Sequence, residues 1–271
     1  MSIAIIGFDA KALAELPVCD SLVFMIFMKT KTDEGAEGGV AASREEFDRV
    51  ASEYREQVAR ALPRGVGEVD AFARIKAWHL AQLIGREFPG RRDVSVLDAG
   101  CGIGLTDGYL RQSYPEITGF DISARSVELA RQANPGLRYE SDERGEFPFP
   151  DGSFDVVFAI CVMHHVPVGE RLEFLRRVSR LLRPGGLLAV YEHNPWNPGT
   201  RWVVSRCEFD RGVVLLSSGE CGRLAREAGF WSVRSRHVLF LPLESPWWCR
   251  LERETLSWMP FGAQYELTAR R

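Results

Sequence analysis

The amino-acid sequence predicts an α/β protein, an open and mostly parallel β-sheet with helices on both faces. Three observations carry this. Short apolar runs alternate with helix-period segments from Val94 onward. Pro and Gly punctuate them at Pro89-Gly90, Asn134-Pro135-Gly136 and Pro184-Gly185-Gly186. The run from Phe154 to Ile160 is apolar without alternation apart from Asp155 at its start, as a strand buried on both faces requires.

Residues 1–42 are expected to form a flexible extension. Leu22 to Met28 is apolar but far short of the ~20 residues that span a bilayer. It lacks the basic and small-residue flanks of a secretory signal, and Thr30 to Ala42 is rich in Gly, Glu and Lys, as a linker is. The folded part is expected to be one domain, 43–271, opened by a helical cap over 43–90. In that cap Phe47, Val50, Ala51, Tyr54 and Val58 recur every three or four residues behind a helix start near Ser43. Phe72, Ile75, Trp78, Leu80 and Leu83 give a second helix, 68–88, its buried face.

The core, 91–241, reads as a strand at 94–98, a helix at 103–112, a strand at 117–121 and a helix at 123–132. Strands at 137–140 and 154–160 follow, then a helix at 170–182, a strand at 187–191, a helix at 218–229 and a strand at 232–241. An insertion, 242–262, holds a Trp-rich helix candidate (Trp247, Trp248, Leu251, Leu256, Trp258). Loops of that length without structure are usually functional or disordered. Residues 263–271 read as the last strand.

At 271 residues, 45% hydrophobic and 26% charged, the composition is that of an ordinary globular protein. A formal charge of −3 and the lack of a long Lys/Arg run argue against a nucleic-acid partner. Cys19, Cys101, Cys161, Cys207, Cys221 and Cys249 stand far apart with no C-x-x-C pair, so reduced cytoplasmic thiols are expected and no metal site.

Ligands of an open α/β sheet bind beyond the carboxyl ends of the strands, where strand order reverses. The turn after the first strand reads Asp98-Ala99-Gly100-Cys101-Gly102-Ile103-Gly104. Its alternating glycines let the backbone turn tightly and approach a ligand, and N–H groups opening the next helix favour a carboxylate. A dinucleotide fingerprint, G-x-G-x-x-G, would need glycine at Leu105. The acid two residues before the first glycine would repel a pyrophosphate, but it can accept from the ammonium of a zwitterionic amino acid. Asp121, followed by Ile122, ends the second strand, where a carboxylate accepts both hydrogen bonds of a ribose diol. Ser141-Asp142-Glu143 ends the third, where an acid can accept from an adenine amino group.

Together with Phe147-Pro148-Phe149-Pro150-Asp151-Gly152-Ser153-Phe154-Asp155 and Leu182-Arg183-Pro184-Gly185-Gly186, these motifs resemble the class I S-adenosylmethionine-dependent methyltransferases over about 94–192. The resemblance implies a Rossmann-like seven-stranded sheet, order 3-2-1-4-5-7-6 with the last strand antiparallel. The N-terminal helices and the insertion would form a cap. It also implies S-adenosyl-L-methionine as cosubstrate, held by Tyr54, Asp98, Gly100, Cys101, Gly102, Gly104, Asp121, Ile122, Cys161 and one of Asp142 and Glu143.

Methyl transfer from a sulfonium is an in-line displacement that needs alignment, exclusion of water and sometimes a base. Candidate bases follow the fourth and fifth strands: His164 and His165 in Cys161-Val162-Met163-His164-His165, and His193 in Glu192-His193-Asn194. A positioning or packing role competes at each. Asn194-Pro195-Trp196 follows the fifth strand, whereas amino-directed nucleic-acid methyltransferases carry their Asn-Pro-Pro-aromatic motif after the fourth. The expected function is methylation of a small molecule, O-directed on a natural product or saccharide. A quinone-type C-methyltransferase and a cofactor-binding, non-catalytic accessory protein are the alternatives. A cytoplasmic monomer or homodimer with a small-molecule acceptor is expected, without nucleic-acid or membrane partners.

Overall fold

The computed structural model describes residues 47–49, 51–62, 69–142 and 144–271. The extension expected over 1–42, the helix start near Ser43, and Glu143 lie outside the described residues. Seven strands form one sheet: β1 (Val96–Ala99), β2 (Ile117–Asp121), β3 (Arg138–Ser141), β4 (Phe154–Ile160), β5 (Leu182–His193), β6 (Trp231–Val238) and β7 (Gln264–Arg270). Their order is β3-β2-β1-β4-β5-β7-β6. β1 to β5 pair in parallel, and β7 runs antiparallel to both β5 and β6. This is the order implied by the motifs.

Around the sheet lie α1 (Tyr54–Ala61), α2 (Val69–Glu87), α3 (Leu105–Leu110), α4 (Ala124–Ala133), α5 (Arg171–Leu181), α6 (Pro198–Arg206), α7 (Ser218–Glu227) and α8 (Pro246–Leu251). Successive strand residues point to opposite faces. Val96, Val156, Leu187 and Ala189 therefore pack with Ile75, Leu80, Leu83 and Ile84 of α2. Their neighbours Leu97, Val157, Leu188 and Val190 pack with Leu175 and Val178 of α5 and Leu224 of α7. Each fully buried Val, Leu or Ile among them contributes about 1.5–3 kcal/mol. Burial on both faces is why 156–160 reads as one apolar run.

Boundaries differ from expectation where local backbone geometry intervenes. The helix expected over 103–112 is only Leu105–Leu110, because Gly104 takes a left-handed φ of 72° at its start. β5 begins at Leu182 instead of 187: Leu182 already pairs with Phe154, ahead of a register shift that skips to Val156 with Leu187. α6 was not anticipated; Pro198 opens it and the Asn197 side chain caps it, accepting from the Thr200 N–H at 2.9 Å.

The insertion folds as α8 followed by a π-helical turn, Glu252–Leu256. Buried Glu252 fastens it, accepting from the N–H groups of Leu239 and Phe240 at 2.7 and 3.0 Å. Asn194 donates to the carbonyls of Pro260 and Gly262, and Asn197 to that of Phe261. The Asn-Pro-Trp-Asn-Pro run thus ties the end of β5 to the insertion. Among the described residues no helix is long and apolar enough to cross a membrane.

Candidate functional site

At the carboxyl end of β1 the glycine turn is dictated by contact. Gly100 has φ 95°, and a Cβ there would lie 2.4 Å from Cγ2 of Val162. Gly104 has φ 72°, and its Cβ would lie 2.7 Å from both Asn134 Nδ2 and the Tyr139 hydroxyl. Only glycine meets both demands. At Gly102 a Cβ would touch nothing within 4 Å, so this part of the turn faces open space. The Val162 contact also sets the turn directly against the loop that follows β4.

Asp121, at the end of β2, clasps the turn. Its Oδ2 accepts from the Gly102 N–H at 2.8 Å and its Oδ1 from the Ser123 N–H at 2.9 Å. Burial raises its carboxyl pKa, while those two amides oppose the rise. Each oxygen keeps a lone pair for a further donor. The Ser123 hydroxyl donates to Asp48 Oδ1 at 2.6 Å, which brings helical residues 47–49 to the end of β2. Ile122 is half-buried beside it. Asp142 is half-buried and accepts from the Arg144 N–H at 2.7 Å, closing its own turn.

Asp98 is buried against a second acid, Asp107 of α3, itself fully buried. The Tyr139 hydroxyl donates to Asp107 Oδ2 at 3.0 Å, and Oδ1 of each acid has no hydrogen-bond partner. Burial and the charge of Asp107 hold Asp98 well above the usual carboxylate range, and burial raises Asp107 to about 6. Two buried acids in contact share a proton. Sequence reasoning found Asp98 but missed Asp107 and Tyr139. An acid in a first helical turn is ordinary, and only the fold turns this one toward β1.

The strand ends next along the sheet carry a histidine cluster. Cys161 follows β4 with a left-handed φ of 56°, and Gln264 Nε2 donates to its Sγ at 3.2 Å. Burial raises that thiol, but Lys76 and His193 outweigh it and bring it to about 7. His193 is raised in turn: burial opposes its charge, and Cys161 favours it. His164 Nδ1 lies 2.6 Å from Glu192 Oε2, and its Nε2 lies 3.3 Å from Asp210 Oδ1. The other Glu192 oxygen accepts from the Met163 N–H at 2.6 Å. His165 Nε2 lies 3.3 Å from the same Asp210 oxygen.

The His164 ring centroid is 4.1 Å from that of His165 and 5.1 Å from that of His193. Burial works against a charge on His164, yet Glu192 and Asp210 raise its pKa well above the usual value. Burial and the His164 charge lower His165. Tyr54 lies by Cys161 and Asp210, whose charges add to burial in raising its phenol. It stands with the histidines. The three candidate histidines thus meet in one cluster, joined by Glu192 and by Asp210, which sequence reasoning missed for want of any periodic or motif signal around it.

A family model described as a methyltransferase domain matches residues 97–190, from β1 into β5. Over that stretch the chain carries a methyltransferase domain of the class I S-adenosylmethionine-dependent type. The methyl donor of such a domain is S-adenosylmethionine. This chain is 36% identical over 154 residues to 27-O-demethylrifamycin SV methyltransferase of Amycolatopsis mediterranei, covering 52% of this chain and 55% of that protein. It is 36% identical over 104 residues to 2-methyl-6-phytyl-1,4-hydroquinone methyltransferase of Synechocystis, covering 37% of this chain and 32% of that protein. It therefore spans a third to about half the length of these curated relatives.

In fold it is similar to a possible histamine N-methyltransferase from Thermotoga maritima, with TM-score 0.57, 20% identity, and 83% and 97% of the two chains covered. The matched stretch of the methyltransferase domain includes the glycine turn, Asp121 and the His164-His165 pair. Tyr54, Glu192, His193, Asp210 and the 242–262 insertion fall outside it.

Proposed function

We propose that this domain transfers the methyl group of S-adenosylmethionine to a small-molecule acceptor, most simply a hydroxyl of a natural product or saccharide. The observation that carries the reading is the Asp121 clasp. One carboxylate holds the glycine turn at Gly102 and still keeps a lone pair on each oxygen, the acceptor arrangement a ribose diol needs. Asp98 and Asp107 each keep one buried oxygen without a hydrogen-bond partner, an acceptor for the ammonium of the donor. Gly100, Cys101, Gly102, Gly104, Ile122, Asp142 and Cys161 would line the rest of the donor site, with Tyr54 where donor and acceptor meet.

On the acceptor side, His165, whose pKa burial lowers, is the neutral imidazole able to accept a proton. His164 and His193, raised against burial by Glu192 and by Cys161, stand beside it with Glu192 and Asp210 at the ends of β4 and β5. In the transfer the acceptor O–H loses its proton and an oxygen lone pair attacks the methyl carbon. The C–S bond breaks with its electron pair passing to sulfur, which leaves S-adenosylhomocysteine. A hydroquinone acceptor is the second reading, favoured by the relative named for one.

Calorimetry with S-adenosylmethionine is the first test, with micromolar binding expected; the absence of binding by the unmutated chain defeats the proposal. Incubation of metabolite fractions with labelled donor, followed by mass spectrometry, then identifies the acceptor. Release of S-adenosylhomocysteine with none of the fractions would favour a binding protein without transfer.

A further inference from the structure

We propose that His164, His165 and Asp210 form a binding site for one divalent transition-metal cation, of the zinc type. One ligand atom from each residue lies within 4.8 Å of the others, and both His164 Nε2 and His165 Nε2 lie 3.3 Å from Asp210 Oδ1. Ligands held about 2.0–2.1 Å from a tetrahedral ion are separated by roughly 3.3–3.4 Å, so two edges of the ligand triangle already have that length. The same distances are long for hydrogen bonds, whose N···O separation centres on about 2.9–3.0 Å. One carboxylate oxygen facing two imidazole nitrogens at equal, stretched range is the geometry of ligands around a shared centre.

Two further features agree. The remaining nitrogen of His164, Nδ1, is gripped by Glu192 at 2.6 Å, and Glu192 is itself fixed by the Met163 N–H at 2.6 Å. A carboxylate holding the far nitrogen of a histidine is how proteins orient that ring toward a metal. The charges also call for a cation. Glu192 and Asp210 are both buried, and among the described residues their ion-pair partners are histidines alone, with no Arg or Lys. A dication would neutralise the two carboxylates without requiring both imidazoles to be protonated. The sequence offered no metal motif because the ligands come from two loops, one after β4 and one ahead of α7, that only the fold joins.

If the methyl-transfer reading holds, on which this use of the site rests, the fourth ligand position takes the acceptor oxygen. Coordination lowers the pKa of a bound hydroxyl. Its proton leaves to solvent, and the oxygen lone pair then displaces the sulfonium sulfur, which keeps the C–S electron pair.

The test uses the full chain, stripped with EDTA and titrated with zinc chloride by calorimetry, with metal content read by mass spectrometry after desalting. About one equivalent is expected, and Asp210→Asn and His165→Gln should each weaken binding by about tenfold or more, about 1.4 kcal/mol. Cys161→Ala should keep the full equivalent. Less than half an equivalent on the wild-type chain overturns the site, as does wild-type affinity in either ligand variant or loss of the metal with Cys161→Ala. The wild-type titration decides even if a variant fails to fold. S-adenosylmethionine affinity of the metal-free wild type is measured alongside, so failure of the metal site and failure of the methyl-transfer reading are told apart.

Discussion

His79 gives the most quantitative handle on this molecule. It lies on α2, 1% exposed, with neither ring nitrogen hydrogen-bonded. Burial, and then the charges of Arg236 and Arg253, lower its pKa from 6.5 to about 3. In the unfolded chain the imidazole takes up a proton as pH falls below 6.5, while the folded protein resists doing so until about pH 3. The unfolded state therefore binds more protons across that window, and stability falls with falling pH by about 1.4 kcal/mol per unit. Between pH 6.5 and pH 5 this one residue costs about 2 kcal/mol, a large share of a typical domain stability of 5–15 kcal/mol.

The perturbation is His79→Leu, which puts an apolar side chain of similar size in place of the imidazole and removes the titration. Urea unfolding followed by circular dichroism at pH 7.5 and pH 5 gives the stability difference between variant and wild type at each pH. Other titrating groups cancel in that comparison. The variant should gain about 2 kcal/mol relative to wild type on going to pH 5. A difference unchanged within about 0.5 kcal/mol would refute the reasoning and mean that His79 finds a partner or protonates in place.

Three other outcomes follow from the same geometry. Asp121→Ala removes the bond to Gly102 of the glycine turn and the bond to Ser123, and should weaken S-adenosylmethionine binding by about tenfold or more, about 1.4 kcal/mol, by calorimetry. Gly100→Ala puts a Cβ 2.4 Å from Val162 Cγ2 at φ 95° and should cost about 1–3 kcal/mol of unfolding free energy; adding Val162→Ala should recover the steric part and leave the backbone strain. Cys161 should react with iodoacetamide along a pH profile centred near 7, and Lys76→Met should move that midpoint upward; a profile near the ordinary thiol value of about 8.5 contradicts the role given to Lys76 and His193.

What could be read from the chain was what local physics writes into it. β4 begins and ends where its largely apolar run does, because a parallel strand covered on both faces has to bury nearly every side chain. Helix ends were less legible: Gly104 trimmed α3, and Leu182 was drawn into β5 by pairing with Phe154, a partner far away in sequence. α6 went unseen because its signals, Asn197 and Pro198, also fit a loop.

For the site the division is sharper. The glycine turn and the acids at the ends of β1 and β2 follow from spacing along the chain, since each sits at a strand end that the hydrophobic pattern locates. The order of the sheet follows from the family resemblance that those motifs carry. Tertiary structure alone decided which side chains meet across those ends. It set Asp107 and Tyr139 behind Asp98, laid Asp48 over Ser123, and brought Asp210 from beyond α6 to His164 and His165. Periodicity reports which face of an element is buried, but not which distant residue will share that burial. Contacts of that kind are set by how the strands are ordered and the loops folded back, and here they assemble the chemistry on the acceptor side.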